Sequence, residues 1–239
     1  MAKEKKEVIK GLTPVGTAVY PYLNKPDDVG GKGRPKYKVN LRLSPEESQA
    51  LIESLEPHAE AAYEQALAEL RDKATNGKDG KAKASAKKAI EALQKHLPWV
   101  EDVDAEGEPT GDYLFKFASN AEYEKDGKVH KVNIPLFNGK NITKVLVGGG
   151  SLLKVAYVVV PFYMPATNTA GITLRIDAIQ VKKPVAPGAG GRTAEAYGFD
   201  EEDEGFDEGD FAEDDDSVSS SDTGSDTHGS TNSKEDEDF

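Results

Sequence analysis

The last 45 residues, Glu195 to Phe239, hold 19 Asp and Glu against a single base, Lys234, giving −18 in a chain whose total charge is −13. Acid, Ser and Gly with isolated Phe bury too little apolar surface to offset the entropy of ordering themselves. The fold must therefore come from residues 1–194, which carry a net +5. A body of that size supports one core, or one core with a helical appendage. Val185, Ala186, Pro187, Gly188, Ala189, Gly190 and Gly191 have linker composition. The chain is expected to divide into a domain over 1–184 and a flexible linker with an acidic C-terminal tail over 185–239.

Cysteine is absent and the four histidines, His58, His96, His130 and His228, are scattered, which excludes disulfides, thiolate catalysis and zinc clusters of usual spacing. The start MAKEKKEVIK lacks an apolar signal region, and no stretch approaches the ~18 apolar residues of a membrane span. A soluble cytoplasmic protein with no membrane partner is expected.

Periodicity gives the element types. Tyr37, Val39, Leu41 and Leu43 alternate with Lys36, Lys38, Asn40 and Arg42, a strand with one apolar and one basic face. Ser44, Pro45 and Glu47 form a capping box with Pro at the first helical position, so a helix starts there. Leu51, Leu55, Ala59, Ala62, Tyr63, Ala66, Leu67 and Leu70 carry it to about residue 72, with a kink expected at Pro57. Thr75 to Gly80 breaks the pattern, and Lys81, Lys83, Lys87 and Lys88 read as an exposed, mobile basic linker. Ile90, Leu93 and Leu97 suggest a second helix ending at Pro98. Extended runs then cover Tyr113–Phe117, Ala121–Glu124, Val129–Ile134, Thr143–Val147, Ser151–Val160 and Ile172–Val181, with Asp126 and Gly127 suited to a hairpin turn. Many short antiparallel strands around one helical insertion, at about 45–97, suit a mainly β fold. The OB-fold, a Greek-key five-stranded barrel here with extra strands, is the commonest such barrel with a helix between its strands.

The chemistry-bearing residues are cations and rings. Tyr20, Tyr22, Lys25, Lys32, Arg34, Lys36, Tyr37, Lys38, Phe115, Lys116, Phe117, Lys128, Lys131, Lys154, Tyr157, Phe162 and Tyr163 supply charges that follow phosphates and faces on which bases stack. Against this, Phe115, Phe117, Tyr157 and Tyr37 sit at the core-facing parity of strands, and for any one ring the core is the plainer place. Gly148, Gly149, Gly150 and Ser151 lack the Lys and helix of a phosphate loop and read as a sharp turn or bulge. No nucleophile, acid-base or metal constellation stands out, so neither an enzyme nor a cofactor is expected. At the end of the chain, Glu235, Asp236, Glu237 and Asp238 surround the ring of Phe239, a combination suited to a shallow apolar pocket rimmed by bases.

Tyr20-Pro21-Tyr22-Leu23-Asn24-Lys25-Pro26-Asp27, Tyr37 to Leu41, Ala61-Ala62-Tyr63, the run from Val147 through Gly148-Gly149-Gly150-Ser151 to Phe162, and the acidic end at Phe239 occur in an order that resembles one family. It is the replication single-stranded DNA-binding proteins of short-tailed phages, of the gene 2.5 type. The resemblance implies a dimerising OB-fold that coats and anneals single strands in the cytoplasm of the infected bacterial host. It also implies a tail that contacts the replicative DNA polymerase and the helicase-primase. By position, Lys154 and Tyr157 match the family's DNA-facing strand, Phe239 its terminal aromatic, and Lys81 to Lys88 a basic loop linked with annealing. Leu152, Ala156 and Met164 stand where relatives carry Lys, Lys and Trp, which shifts the expected footprint toward Arg34, Lys36 and Tyr163. The DNA-binding candidates are Tyr22, Lys25, Arg34, Lys36, Tyr37, Lys38, Lys116, Lys128, Lys131, Lys154, Tyr157 and Tyr163. The alternative from the residues alone is an acidic-tailed chaperone or assembly factor that binds basic proteins.

Overall fold

A computed structural model describes residues 8–28 and 34–188. The acidic tail and Lys32 lie outside the described residues. The elements in chain order are β1 (Lys10–Leu12), β2 (Gly16–Asp27), β3 (Lys36–Leu43), α1 (Pro45–Asn76), α2 (Gly80–Glu91), β4 (Gln94–His96), β5 (Trp99–Val103) and β6 (Pro109–Asn120). They continue with β7 (Glu122–Lys125), β8 (Lys128–Lys131), β9 (Leu136–Asn138), β10 (Asn141–Ile142), β11 (Leu152–Met164) and β12 (Thr169–Lys183). No helix among the described residues is long and apolar enough to cross a membrane.

Five strands close into a ring in the order β2, β3, β6, β12, β11 and back to β2, all neighbours antiparallel except β6 and β12. The period-two alternation of β3 builds its inside. Val39, Leu41 and Leu43 meet Phe115 and Phe117 of β6, Leu153 and Val155 of β11, and Ile172, Leu174 and Ile179 of β12, all essentially inaccessible to water. Two seams are thin. β6 meets β12 where Phe117 faces Leu174, and β11 meets β2 at Leu152 and Leu153.

The glycine run secures the second seam. Gly150 donates its backbone N–H to Ala18 O and Ala18 donates back to Ser151 O. Fully buried Ser151 donates its hydroxyl to Gly148 O at 2.8 Å and accepts from Val185 N at 2.9 Å. Gly150 sits at φ +85°, and a Cβ on Gly148 would strike the Ala186 backbone, so a side chain at either position is strained. The segment is a turn, as its composition suggests, and it also ties down the chain that leaves β12.

The capping box forms as read. Glu47 N donates to Ser44 Oγ and Ser44 N donates to Glu47 Oε2. α1 runs as one helix through Pro57 to Asn76 and buries Leu51, Leu55, Ala59 and Ala62 in the ring's core, on the β11–β12 side. Three expectations are corrected. The basic stretch Lys81 to Lys88 is helical, lying on α2, where Asp79 accepts from Ala82 N as its cap and Ala86 buries against α1. Leu93 and Leu97 do not continue that helix, because residues 94–96 pair in parallel with Thr169–Gly171 as β4. Residues 143–147 are not a strand. Asn24 takes their backbone instead, its amide donating to Val145 O and accepting from Val147 N.

Candidate nucleic-acid interface

β3 sets the frame for an outward face opposite to its buried side chains. Lys36, Lys38, Asn40 and Arg42 point out, with Asn120, Ala118, Lys116 and Leu114 of β6 beside them in register. On the other flank β2 places Val19 beside Asn40, Tyr22 beside Lys38 and Asp27 beside Lys36.

The cations on this face differ in their duties. Arg42 Nε lies 2.6 Å from Oδ2 of Asp102 on β5, whose side chain is only 6% exposed, so Arg42 is committed to neutralising a buried carboxylate. Lys38 is ion-paired to Asp27 and stands 4.7 Å over the Tyr22 ring, where it steadies that ring. Lys36 and Lys116 have no carboxylate partner among the described residues and are exposed, which suits them to phosphates. Beside Lys116, His96 of β4 is half-buried edge-on against Phe162, 5.4 Å between ring centroids. Burial first, and the Lys116 charge second, hold its pKa below the ordinary imidazole value.

The rings are placed by an irregularity in β2. Between Val19 and Tyr22 it advances three residues while β3 advances two, from Asn40 to Lys38, a bulge of one residue. Tyr20, inside it, adopts φ +50° and is 76% exposed, and Tyr22 follows at 42%. A left-handed tyrosine costs on the order of 1–2 kcal/mol, and here the surrounding ladder holds it. Tyr20 is one of several rings in the sequence, and its local pattern does not single it out. Pro21 was the available signal, since a proline inside a strand removes a ladder donor and marks a bulge.

Other candidates lie elsewhere. Lys25 is exposed farther along β2 beside a groove with Tyr22, Asn24 and Leu146, and Arg34 is exposed next to Pro35, whose carbonyl accepts from Ala121 N. Lys128 and Lys131 are exposed on β8 of a separate two-stranded hairpin. Four candidates lie off this face. Tyr37 is 6% exposed, its hydroxyl donating to Asn133 Oδ1, because its parity on β3 is the core parity. Tyr157 is 5% exposed and packs on Phe117 at 5.7 Å, since α1 covers that part of β11. Burial raises its phenol pKa, opposed by a hydrogen bond with Ser54. Lys154 lines a groove between β1 and α1 with Tyr157 and His58, and Tyr163 lines grooves against Ala62, Ala66 and Leu70 of α1. The β11 candidates therefore lie on the helical side of the ring, and Tyr37 and Tyr157 offer no free face.

The sequence profile of the family described as "Single-stranded DNA-binding protein, Bacteriophage T7" matches residues 15–183. The chain is 29% identical over 202 residues to the single-stranded DNA-binding protein of Enterobacteria phage T3, covering 80% of this chain and 82% of that protein. To the protein of the same name from Escherichia phage T7 it is 26% identical over 187 residues, covering 74% and 76%. The crystal structure of gp2.5, a single-stranded DNA binding protein encoded by bacteriophage T7, superposes with a TM-score of 0.60 at 21% identity, covering 84% of this chain and 98% of that one. The matched span runs from the start of β2 to the end of β12, the whole of the ring and both helices, and on that ground the chain belongs to the family of the phage T7 single-stranded DNA-binding protein.

Proposed function

We propose that the chain is a non-enzymatic protein of phage DNA replication that binds single-stranded DNA without sequence preference on the outer face of β2, β3 and β6. The observation that carries this is one face presenting exposed rings, Tyr20 and Tyr22, beside the cations Lys36 and Lys116, which have no ion-pair partner among the described residues. Rings accept the flat faces of unstacked bases whatever their identity, and a duplex hides those faces. The ring order with its parallel β6–β12 pair supports an OB-type barrel, a class whose second and third strands, here β3 and β6, bind oligonucleotides. The domain spans about 1–184, a reading supported by the Ser151 tie to Val185 at its end. Lys25, Arg34 and Lys38 extend the cationic surface, Lys81, Lys83, Lys87 and Lys88 on α2 supply charge for annealing a second strand, and the protein acts as a homodimer in the cytoplasm of the infected bacterial host. Glu235 to Phe239 recruits the replicative polymerase and the helicase-primase.

Titration of labelled oligonucleotides, single- and double-stranded and of equal length, with the full chain and with residues 1–188 at several salt concentrations tests this. Single-strand preference, a steep salt dependence, and tighter binding once the −18 tail is removed are expected. Equal binding of single- and double-stranded DNA, or none by either protein, overturns it and favours the alternative, an acidic-tailed chaperone.

A further inference from the structure

The β7–β8 hairpin belongs to neither the ring nor its core. It forms a sheet of its own, turned at Asp126 (φ +53°) and Gly127 (φ +72°), and all but Glu122 of its strand residues are exposed. In register, Tyr123 opposes His130 and Lys125 opposes Lys128. Alternation along each strand puts these four on one face and Glu122, Glu124, Val129 and Lys131 on the other. Tyr123 and His130 are stacked, 5.2 Å between centroids at 15°.

Two features exceed what a hairpin needs to hold itself together. A cross-strand aromatic pair is stabilising, but two lysines directly opposite one another beside a tight turn repel, and no carboxylate partner relieves them among the described residues. The acids of the two strands, Glu122 and Glu124, are on the opposite face and Asp126 lies in the turn, so one side of the ribbon is a ring pair followed by two positive charges. The hairpin is also anchored beside the candidate interface. It continues from Asn120, which faces Lys36, while Ala121 N donates to Pro35 O and Val132 N donates to Ala121 O.

We propose that this face is a second contact for single-stranded nucleic acid, with a base stacking on the Tyr123–His130 pair and its phosphates on Lys125 and Lys128. The inference rests on the proposed function and deepens it: a strand leaving the ring past Lys36 continues onto the hairpin, so the site is longer than the ring face. The charge asymmetry of the ribbon selects a polyanion, and the flat ring pair selects one whose bases are free.

The test is the dependence of affinity on oligonucleotide length. The full chain, Y123A/H130A, Y123F and K125Q/K128Q are titrated with labelled deoxyribonucleotide oligomers from about 4 to about 16 nucleotides, the span of known site sizes for one such barrel. With the wild type, affinity rises with length and then levels. For Y123A/H130A, long oligomers weaken at least ~5-fold while the shortest bound ones do not change. Y123F keeps wild-type affinity, since a stack needs the ring alone, and K125Q/K128Q lowers the salt slope on long oligomers by ~1.4. Unchanged affinity of Y123A/H130A at every length overturns the hairpin contact while leaving the wild type's own binding, and so the proposed function, intact. Equal loss at all lengths overturns it too, because the change then acts through the ring. A wild type that binds no oligomer removes the proposed function itself.

Discussion

Tyr20 couples stability and binding with opposite signs, and replacing it separates them. The residue sits at φ +50° inside the β2 bulge and is 76% exposed. Little packing is lost on truncation, and what changes is backbone strain. Alanine at this φ keeps the strain, on the order of 1–2 kcal/mol for an L-residue in the left-handed region. Glycine relieves it, less about 0.5–1 kcal/mol for the greater freedom of its unfolded chain. Tyr20→Gly should therefore be about 0.5–1 kcal/mol more stable than Tyr20→Ala. For a body of this size that is ~1–4 °C in Tm. Both substitutions remove the same ring, so both should weaken single-stranded DNA by the amount of one stacked base, about 1–3 kcal/mol, or ~5- to 150-fold. Urea or thermal unfolding reads the first quantity and oligonucleotide titration the second. If the two variants unfold together, the left-handed conformation is not held in solution. If both bind like wild type, the bulge does not present a stacking ring and the assignment of the face fails at its most exposed residue.

Arg42→Ala leaves the Asp102 carboxylate buried without its partner and should destabilise by about 2–4 kcal/mol in chemical denaturation, with Arg42→Ala/Asp102→Asn recovering part of the loss. Lys36→Gln and Lys116→Gln should each lower the salt slope for single-stranded DNA by about 0.7, with no shift in the midpoint of unfolding. His96 binds its proton less readily when folded than when unfolded, so the unfolded chain takes up more protons below its ordinary value of about 6.5. Stability should hold above that pH and fall as pH drops through the depressed folded value, and His96→Gln should flatten this part of the stability–pH curve. Gly171→Ala should destabilise by about 1–3 kcal/mol in urea, because its Cβ meets the His96 carbonyl where β4 pairs with β12.

What could be read beforehand were the locally encoded elements. The alternation of β3 reports its two environments directly, and Ser44 with Glu47 closes the α1 cap within four residues, so both were legible. Residues 143–147 have strand composition, yet their backbone groups find Asn24, more than 120 positions away, and no local pattern reveals that. β4 is three residues held in parallel by β12, and its leucine-flanked sequence reads as helix because the partner is remote. The candidate site divided in the same way. The outward placement of Lys36, Lys38 and Lys116 was legible because charge on an alternating strand must face out. Tyr157 is buried, as its core parity indicates, and its match by position to the family's DNA-facing strand does not tell which side of β11 α1 covers. Tyr20 was passed over because the bulge that turns it outward depends on how β2 aligns with β3.

The most direct test of the central claim is to map where a single strand touches the full chain. Photocross-linking of an oligonucleotide carrying 5-iododeoxyuridine, followed by identification of the modified residues by mass spectrometry, should place adducts on Tyr20 and Tyr22 in residues 16–27, with loss of the Tyr20 adduct in Tyr20→Gly. Adducts confined to Tyr63 on α1 or to Tyr157 or Tyr163 beside it, with none on β2, would contradict the assignment of binding to the outer face of β2, β3 and β6.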